Sequence, residues 1–335
     1  MKTLLQKALL LCVTVAFLFW LYGQFEPQSN VPPPFSTENA DLSESTEQVV
    51  SGVLEHDLPE TSPYLKHLNL NTPGQNNNSF SQALHTCAQQ LQFVVSSDES
   101  IIQAADFKKQ FSQDSRLNIL PICINQALWV DPTELACVHN WQDEGRLGCD
   151  LQGLGPMLKE LDFTHLVIFA EQGKANVHNG IMFLDRGDTY DVFVHELAHF
   201  SGFVDEYPLN ETLAQGICAG DRAPNIIFEQ AKQSPADMSL WLGLQENNKI
   251  SVSEARTCDN HSAQAYKPTA DITFMEFYDL TYIPEVYIAA WLKTLASPQQ
   301  LTPAYINFAQ LYEGQNNLIQ SKYWRQRYVD YTNVE

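Results

Sequence analysis

One stretch limits the folds open to this chain more than any other: His195-Glu196-Leu197-Ala198-His199. Two imidazoles four residues apart share a face only on a helix, where one turn takes about 3.6 residues. The flanks agree, since Phe193, Val194, Leu197 and Ala198 form an apolar stripe and Asp188 or Thr189 can cap the first turn. Two neutral imidazoles on one face suit a zinc ion, and Glu196, one residue past the first, is placed to take a proton from water beside it. Three residues past His199, Gly202 can adopt positive φ and end the helix sharply. The turned chain then brings Asp205 back toward the histidines as a third ligand. Any fold that honours this pattern needs a buried helix end, a tight reversal and a returning loop held in place.

The extended motif H-E-x-x-H-x-x-G-x-x-D resembles the metzincin metallopeptidases, in the variant with Asp as third ligand. The continuation Asp205-Glu206-Tyr207 is similar to the ending found in the IgA-peptidase-like family, with one residue fewer between the second His and the Asp. The resemblance implies a methionine turn beneath the metal, for which Met275, within Phe274-Met275-Glu276-Phe277, is the candidate. In several metzincins a Tyr two residues after that Met assists the reaction; here Phe277 stands there, with Tyr278 and Tyr207 nearby. The resemblance also implies an antiparallel edge strand above the cleft that binds extended substrate, and Ile181–Leu184 is the candidate for it.

Composition excludes some partners. The chain carries 19 Lys plus Arg against 40 Asp plus Glu, a net charge of −21. That balance argues against nucleic acid, whose phosphates call for a basic footprint. At the N-terminus Lys2 and Lys7 precede an apolar run, Ala8 to Tyr22, that ends in aromatics. The expectation is an uncleaved signal anchor over residues 1–23, attaching the chain to a membrane with the rest exported to the periplasm or cell exterior, or secreted if the signal is cleaved. Residues 24–62 hold eight acids, no Lys or Arg, and Pro32-Pro33-Pro34, the composition of a solvated tether. Beyond Cys12, the six cysteines Cys87, Cys123, Cys137, Cys149, Cys218 and Cys258 suit up to three disulfides in an exported chain. Cys137 with Cys149 is the favoured local pair and Cys218 with Cys258 the favoured longer one, among fifteen connectivities.

The expected fold is α+β: a metzincin-like catalytic domain over 63–295, with a mixed sheet and the active-site helix, and a C-terminal helical hairpin over 296–335. Asp98–Gln113 reads as a helix, and Ile119–Ile124, His165–Ala170 and Ile181–Leu184 read as strands. The implied activity is zinc-dependent hydrolysis of a protein or peptide substrate, with Zn²⁺ on His195, His199 and Asp205 and with Glu196 as general base. Two alternatives stand beside it. A distant glutamate, Glu276 or Glu285, could supply the third ligand, or the site could be structural in a non-catalytic envelope protein.

Overall fold

The structure, a computed structural model, describes residues 87–141, 145–229, 241, 244 and 250–333. The expected anchor at 1–23 and tether at 24–62 lie outside these residues, as does the start of the expected catalytic domain. The membrane-anchored placement is corrected: among the described residues no helix is long and apolar enough to cross a membrane. The run Ala8–Tyr22 is itself shorter than the roughly 17–25 residues that a spanning helix takes.

The chain is mixed α/β, with a mixed sheet and eight helices among the described residues. It opens with β1 (Gln89–Val95), α1 (Asp98–Gln113), β2 (Ile122–Ile124), β3 (Leu128–Trp129), α2 (Pro132–Leu135) and α3 (Leu154–Leu158). Next come β4 (His165–Phe169), β5 (Asn176–His178), β6 (Ile181–Leu184), α4 (Tyr190–His199) and α5 (Glu211–Ile217). The last part holds β7 (Ile227–Glu229), β8 (Ser253–Ala255), β9 (Gln264–Lys267), α6 (Glu285–Leu295), α7 (Tyr305–Gly314) and α8 (Leu318–Thr332). The larger sheet runs β2-β1-β4-β6-β5, with β3 also on β1; all its pairings are parallel except β5 on β6.

Both faces of this sheet are covered, which is why Leu166–Phe169 of β4 and the whole of β6 read as unbroken apolar runs. On one face Phe93, Val167, Phe169, Met182 and Leu184 meet α1, α4 and α6 through Phe107, Phe193 and Trp291. On the other, Val94, Leu166, Ile168, Ile181 and Phe183 meet Tyr305, Phe308 and Trp324 of α7 and α8. Successive residues of a strand alternate between the two clusters, as a period of two dictates. Burying each of the large side chains contributes roughly 1.5–3 kcal/mol. The helix expected at Asp98–Gln113 is present, its turn closed by a reciprocal capping box between Ser97 and Ser100.

Two expectations about strands change. Ile119 is exposed and the strand is limited to Ile122–Ile124. Ile181–Leu184 is a strand, but an interior one with all four residues buried; the antiparallel edge is β5. The reversal between them is Asn179-Gly180, both at positive φ, 45° and 78°, the backbone of a two-residue hairpin turn. A Cβ on Gly180 would stand 2.4 Å from the Thr302 carbonyl oxygen, so the chain passes there only as glycine.

Three disulfides join Cys87 to Cys123, Cys137 to Cys149 and Cys218 to Cys258. They fit an exported protein. The third lies in a separate small core with the three-stranded antiparallel sheet β7-β9-β8 and Ala214 of α5.

Candidate metal centre

Helix α4 delivers the histidines. Thr189 caps it, its hydroxyl accepting from the Val192 amide, and Phe193 and Leu197 lock it against the sheet. The helix ends as its sequence requires. Gly202 takes φ +79°, with its amide donating to the His199 carbonyl at 3.0 Å. The nearest atom to a Cβ there would be Pro224 Cδ at 3.8 Å, so the glycine serves the backbone angle and not a shortage of space.

The returning loop is fastened on both sides of Asp205. The Asp205 carbonyl accepts from Thr257 Oγ1 at 2.7 Å, and the Glu206 amide donates to the Met275 carbonyl at 2.9 Å. The Glu206 side chain is fully buried and accepts from Thr273 Oγ1 (2.6 Å), Asn225 Nδ2 (3.0 Å) and the Tyr287 hydroxyl, with Lys267 Nζ 3.5 Å away. A carboxylate this deep is tolerable because its oxygens are satisfied.

Each histidine is oriented by a main-chain carbonyl. His195 Nδ1 lies 2.8 Å from the Phe274 oxygen, in the tight turn Thr273–Phe277, and His199 Nδ1 lies 2.8 Å from the Phe203 oxygen. A carbonyl can only accept, so Nδ1 carries the hydrogen and the neutral Nε2 presents a lone pair. Those two Nε2 atoms stand 3.1 Å (His195) and 3.3 Å (His199) from the same atom, Asp205 Oδ1. That oxygen is buried and accepts no hydrogen bond in acceptable geometry. Three electron-rich atoms thus converge, an arrangement that repels itself unless a cation or proton lies between them. Tetrahedral zinc with bonds of roughly 2.0–2.1 Å places neighbouring donors about 3.3 Å apart, so the set fits such an ion. Among the described residues these three make up the one group of His, Cys, Asp or Glu arranged to hold a metal.

The electrostatics follow from this convergence. Burial works against a charged His199, yet the Asp205 carboxylate outweighs it and raises that imidazole to about 9. Burial likewise disfavours ionised Asp205, and the two imidazoles overcome it, holding the carboxyl well below the usual carboxylate range. Glu196 is 8% exposed, and burial above all, with Asp205 adding, pushes its carboxyl up against the pull of the histidines. A Glu raised in this way is a stronger base than an ordinary carboxylate.

Glu196 opens onto two cavities. One, about 490 Å³ on the His195 side, has Val192, Phe277 and Tyr278 on its wall together with Asp188, whose carboxyl burial pushes up to about 7. The other, about 540 Å³ on the His199 side, runs past Val177 of β5. Tyr207 lines both, its hydroxyl against Asp205.

Other residues singled out in the sequence fall nearby without joining the ligands. Glu276 is ion-paired to Lys267, and Glu285 opens α6. Met275 is fully buried and reaches the site through its carbonyl, while Phe277 and Tyr278 are exposed at the cavity mouth. The carbonyls of Phe203 and Phe274 and the hydroxyl of Thr257 carry no sequence signal, since any residue has a carbonyl and any loop can hold a threonine. Comparisons of the chain with protein-family models, with curated proteins and with solved structures returned no match, so the chemistry has to be read from these residues.

Proposed function

We propose that the chain is an exported zinc-dependent peptidase of metzincin type. The observation that carries this reading is the convergence of His195 Nε2 and His199 Nε2 on the buried, unsatisfied Asp205 Oδ1, beside a buried Glu196. His195, His199 and Asp205 would hold the ion. When bound, zinc supplies Lewis acidity, which polarises a carbonyl and acidifies water. The remaining work belongs to the chain. Glu196 takes the proton of the attacking water and returns it to the leaving amine. The Phe203 and Phe274 carbonyls keep both imidazoles in the tautomer that leaves Nε2 free. β5 ends the sheet among the described residues and offers a strand edge beside the cleft, onto which an extended peptide can add as a further strand. The turn that carries Met275, whose neighbouring Phe274 carbonyl meets His195, is the remaining feature that favours this family.

Glu196→Gln is the direct test. Against a peptide library it should cost about 10²–10⁴-fold in hydrolysis, the usual contribution of a general base, while zinc content stays stoichiometric. A protein that binds no zinc, or a Gln variant that hydrolyses as fast as the parent, overturns the proposal.

A further inference from the structure

The sign of the cleft wall differs from that of the chain. Although acids outnumber bases 40 to 19 overall, the two cavities that share His199 and Val177 are bordered by cations. The first, about 540 Å³, carries Arg146 and Lys174, and among the described residues its only carboxylates are Glu196 and Asp205 of the candidate metal centre. The second, about 650 Å³, carries Arg222 and Lys293 and has no Asp or Glu among its described lining residues. None of these four side chains makes a hydrogen bond, ion pair or ring contact with a described residue, whereas Arg116, Arg256, Lys267 and Arg325 are each spent on a carboxylate. The cavity on the His195 side is different again: Lys174 borders it too, but Asp188 and Glu276 stand on its wall beside Glu196.

We infer that the His199 side of the cleft selects a substrate segment bearing acidic side chains, Asp or Glu, with Arg146, Lys174, Arg222 and Lys293 as the selecting residues. The inference rests on the peptidase reading and deepens it by naming a substrate class. Two physical points support it. At physiological salt, exposed charges more than about 8 Å apart are largely screened, so a bound peptide feels the local wall and not the distant net charge. A concave wall also focuses the field of its charges into the cleft, and outside the metal centre the charged residues given for both cavities are cations. An extended peptide lying along β5 passes Val177 and His199, and so runs between both pairs of cations. Neutral or basic segments would leave all four cations unpaired.

The test separates selectivity from catalysis. Zinc-loaded Glu196→Gln protein is titrated with end-blocked peptides carrying a neutral fluorophore, one set with Asp and Glu, the other with isosteric Asn and Gln. The acidic set should bind about twofold to fivefold tighter per carboxylate, the range for exposed ion pairs, and the advantage should shrink at high salt. Arg222→Glu and Lys293→Glu should abolish it, whereas Lys322→Glu, an exposed lysine on α8, should leave it intact. Equal binding of the two sets, no binding of either, or an equal loss from Lys322→Glu overturns the inference. Wild-type hydrolysis is measured separately. Its absence with the binding preference intact would sink the peptidase reading and leave the acidic selectivity standing.

Discussion

His199 and Asp205 share a space that either a proton or a metal ion can fill, and pH decides between them. In the metal-free protein the imidazole, raised to about 9, is protonated at neutral pH and paired with the ionised Asp205. Because its folded pKa lies above the ordinary value near 6.5, that pairing stabilises the fold fully below 6.5 and is lost as pH rises through 9. Asp205 has the opposite sign: its share is present above the ordinary carboxylate range and is lost on acidification. A metal must displace the His199 proton, so its apparent affinity should climb about tenfold per pH unit below 9 and level off above it. Thermal melts should therefore diverge between pH 7 and 9, with Tm falling in chelator but staying nearly level at saturating zinc, where the gain in metal affinity offsets the lost pairing. Parallel curves would remove His199 from the ligand set. All four residues of this chemistry were readable as letters, because H-E-x-x-H-x-x-G-x-x-D names side chains. Their orienting partners were not, because Phe203 and Phe274 act through carbonyls that every residue possesses.

Elements show a different balance between what sequence displays and what it hides. β1 contains Gln89, Gln90 and Gln92, which break the apolar pattern of a central strand, yet all three are buried. Their side-chain NH2 groups donate sideways, Gln89 to Ser201 Oγ, Gln90 to Asn125 Oδ1 and Gln92 to the Gln126 carbonyl, partners that no local pattern announces. The edge strand has a usable sign in the sequence: Asn179-Gly180 is the dipeptide of a two-residue hairpin and implies a strand on its N-terminal side as well. The two glycines near the site give a paired prediction. Gly180 and Gly202 share nearly the same φ, 78° and 79°. Gly202→Ala meets no close atom and should cost about 1–2 kcal/mol, the ordinary penalty of the left-handed region. Gly180→Ala adds a collision with the backbone at Thr302 and Pro303 and should cost distinctly more. Denaturant melts of the two variants check the order. Zinc affinity should fall in Gly202→Ala, since that turn aims Asp205, and hold in Gly180→Ala if the protein remains folded.

At the scale of the whole molecule, the two histidines come from one core, and the loop that bears Asp205 is held from two. α4 belongs to the cluster under the large sheet, whereas Asp205 begins a segment that leans on the small core around Cys218 and Cys258. The segments 205–209 and 256–260 are laced together: Thr257 Oγ1 to the Asp205 carbonyl, the Arg256 amide to the Glu206 carbonyl, the Leu209 amide to the Thr257 carbonyl, and Asn260 Nδ2 to the Leu209 carbonyl. Six cysteines in the sequence announced cross-links but not this duty, because pairing by proximity says nothing about which hydrogen bonds a bridge holds in register. Cys218–Cys258 closes a separation of 40 residues and Cys137–Cys149 one of 12. By loop entropy they are worth about 4 and about 3 kcal/mol, so paired Cys→Ala substitutions at either should lower Tm to a similar degree. Zinc binding should separate them. Among the described residues none of the hydrogen bonds on the loop bearing Asp205 comes from the 137–149 segment, so its double Ala variant should hold zinc like the parent as long as it is folded. The Cys218→Ala, Cys258→Ala variant frees the turn that carries Thr257 and should bind zinc at least tenfold more weakly. Equal zinc affinities in the two folded variants would show that the large core alone positions Asp205.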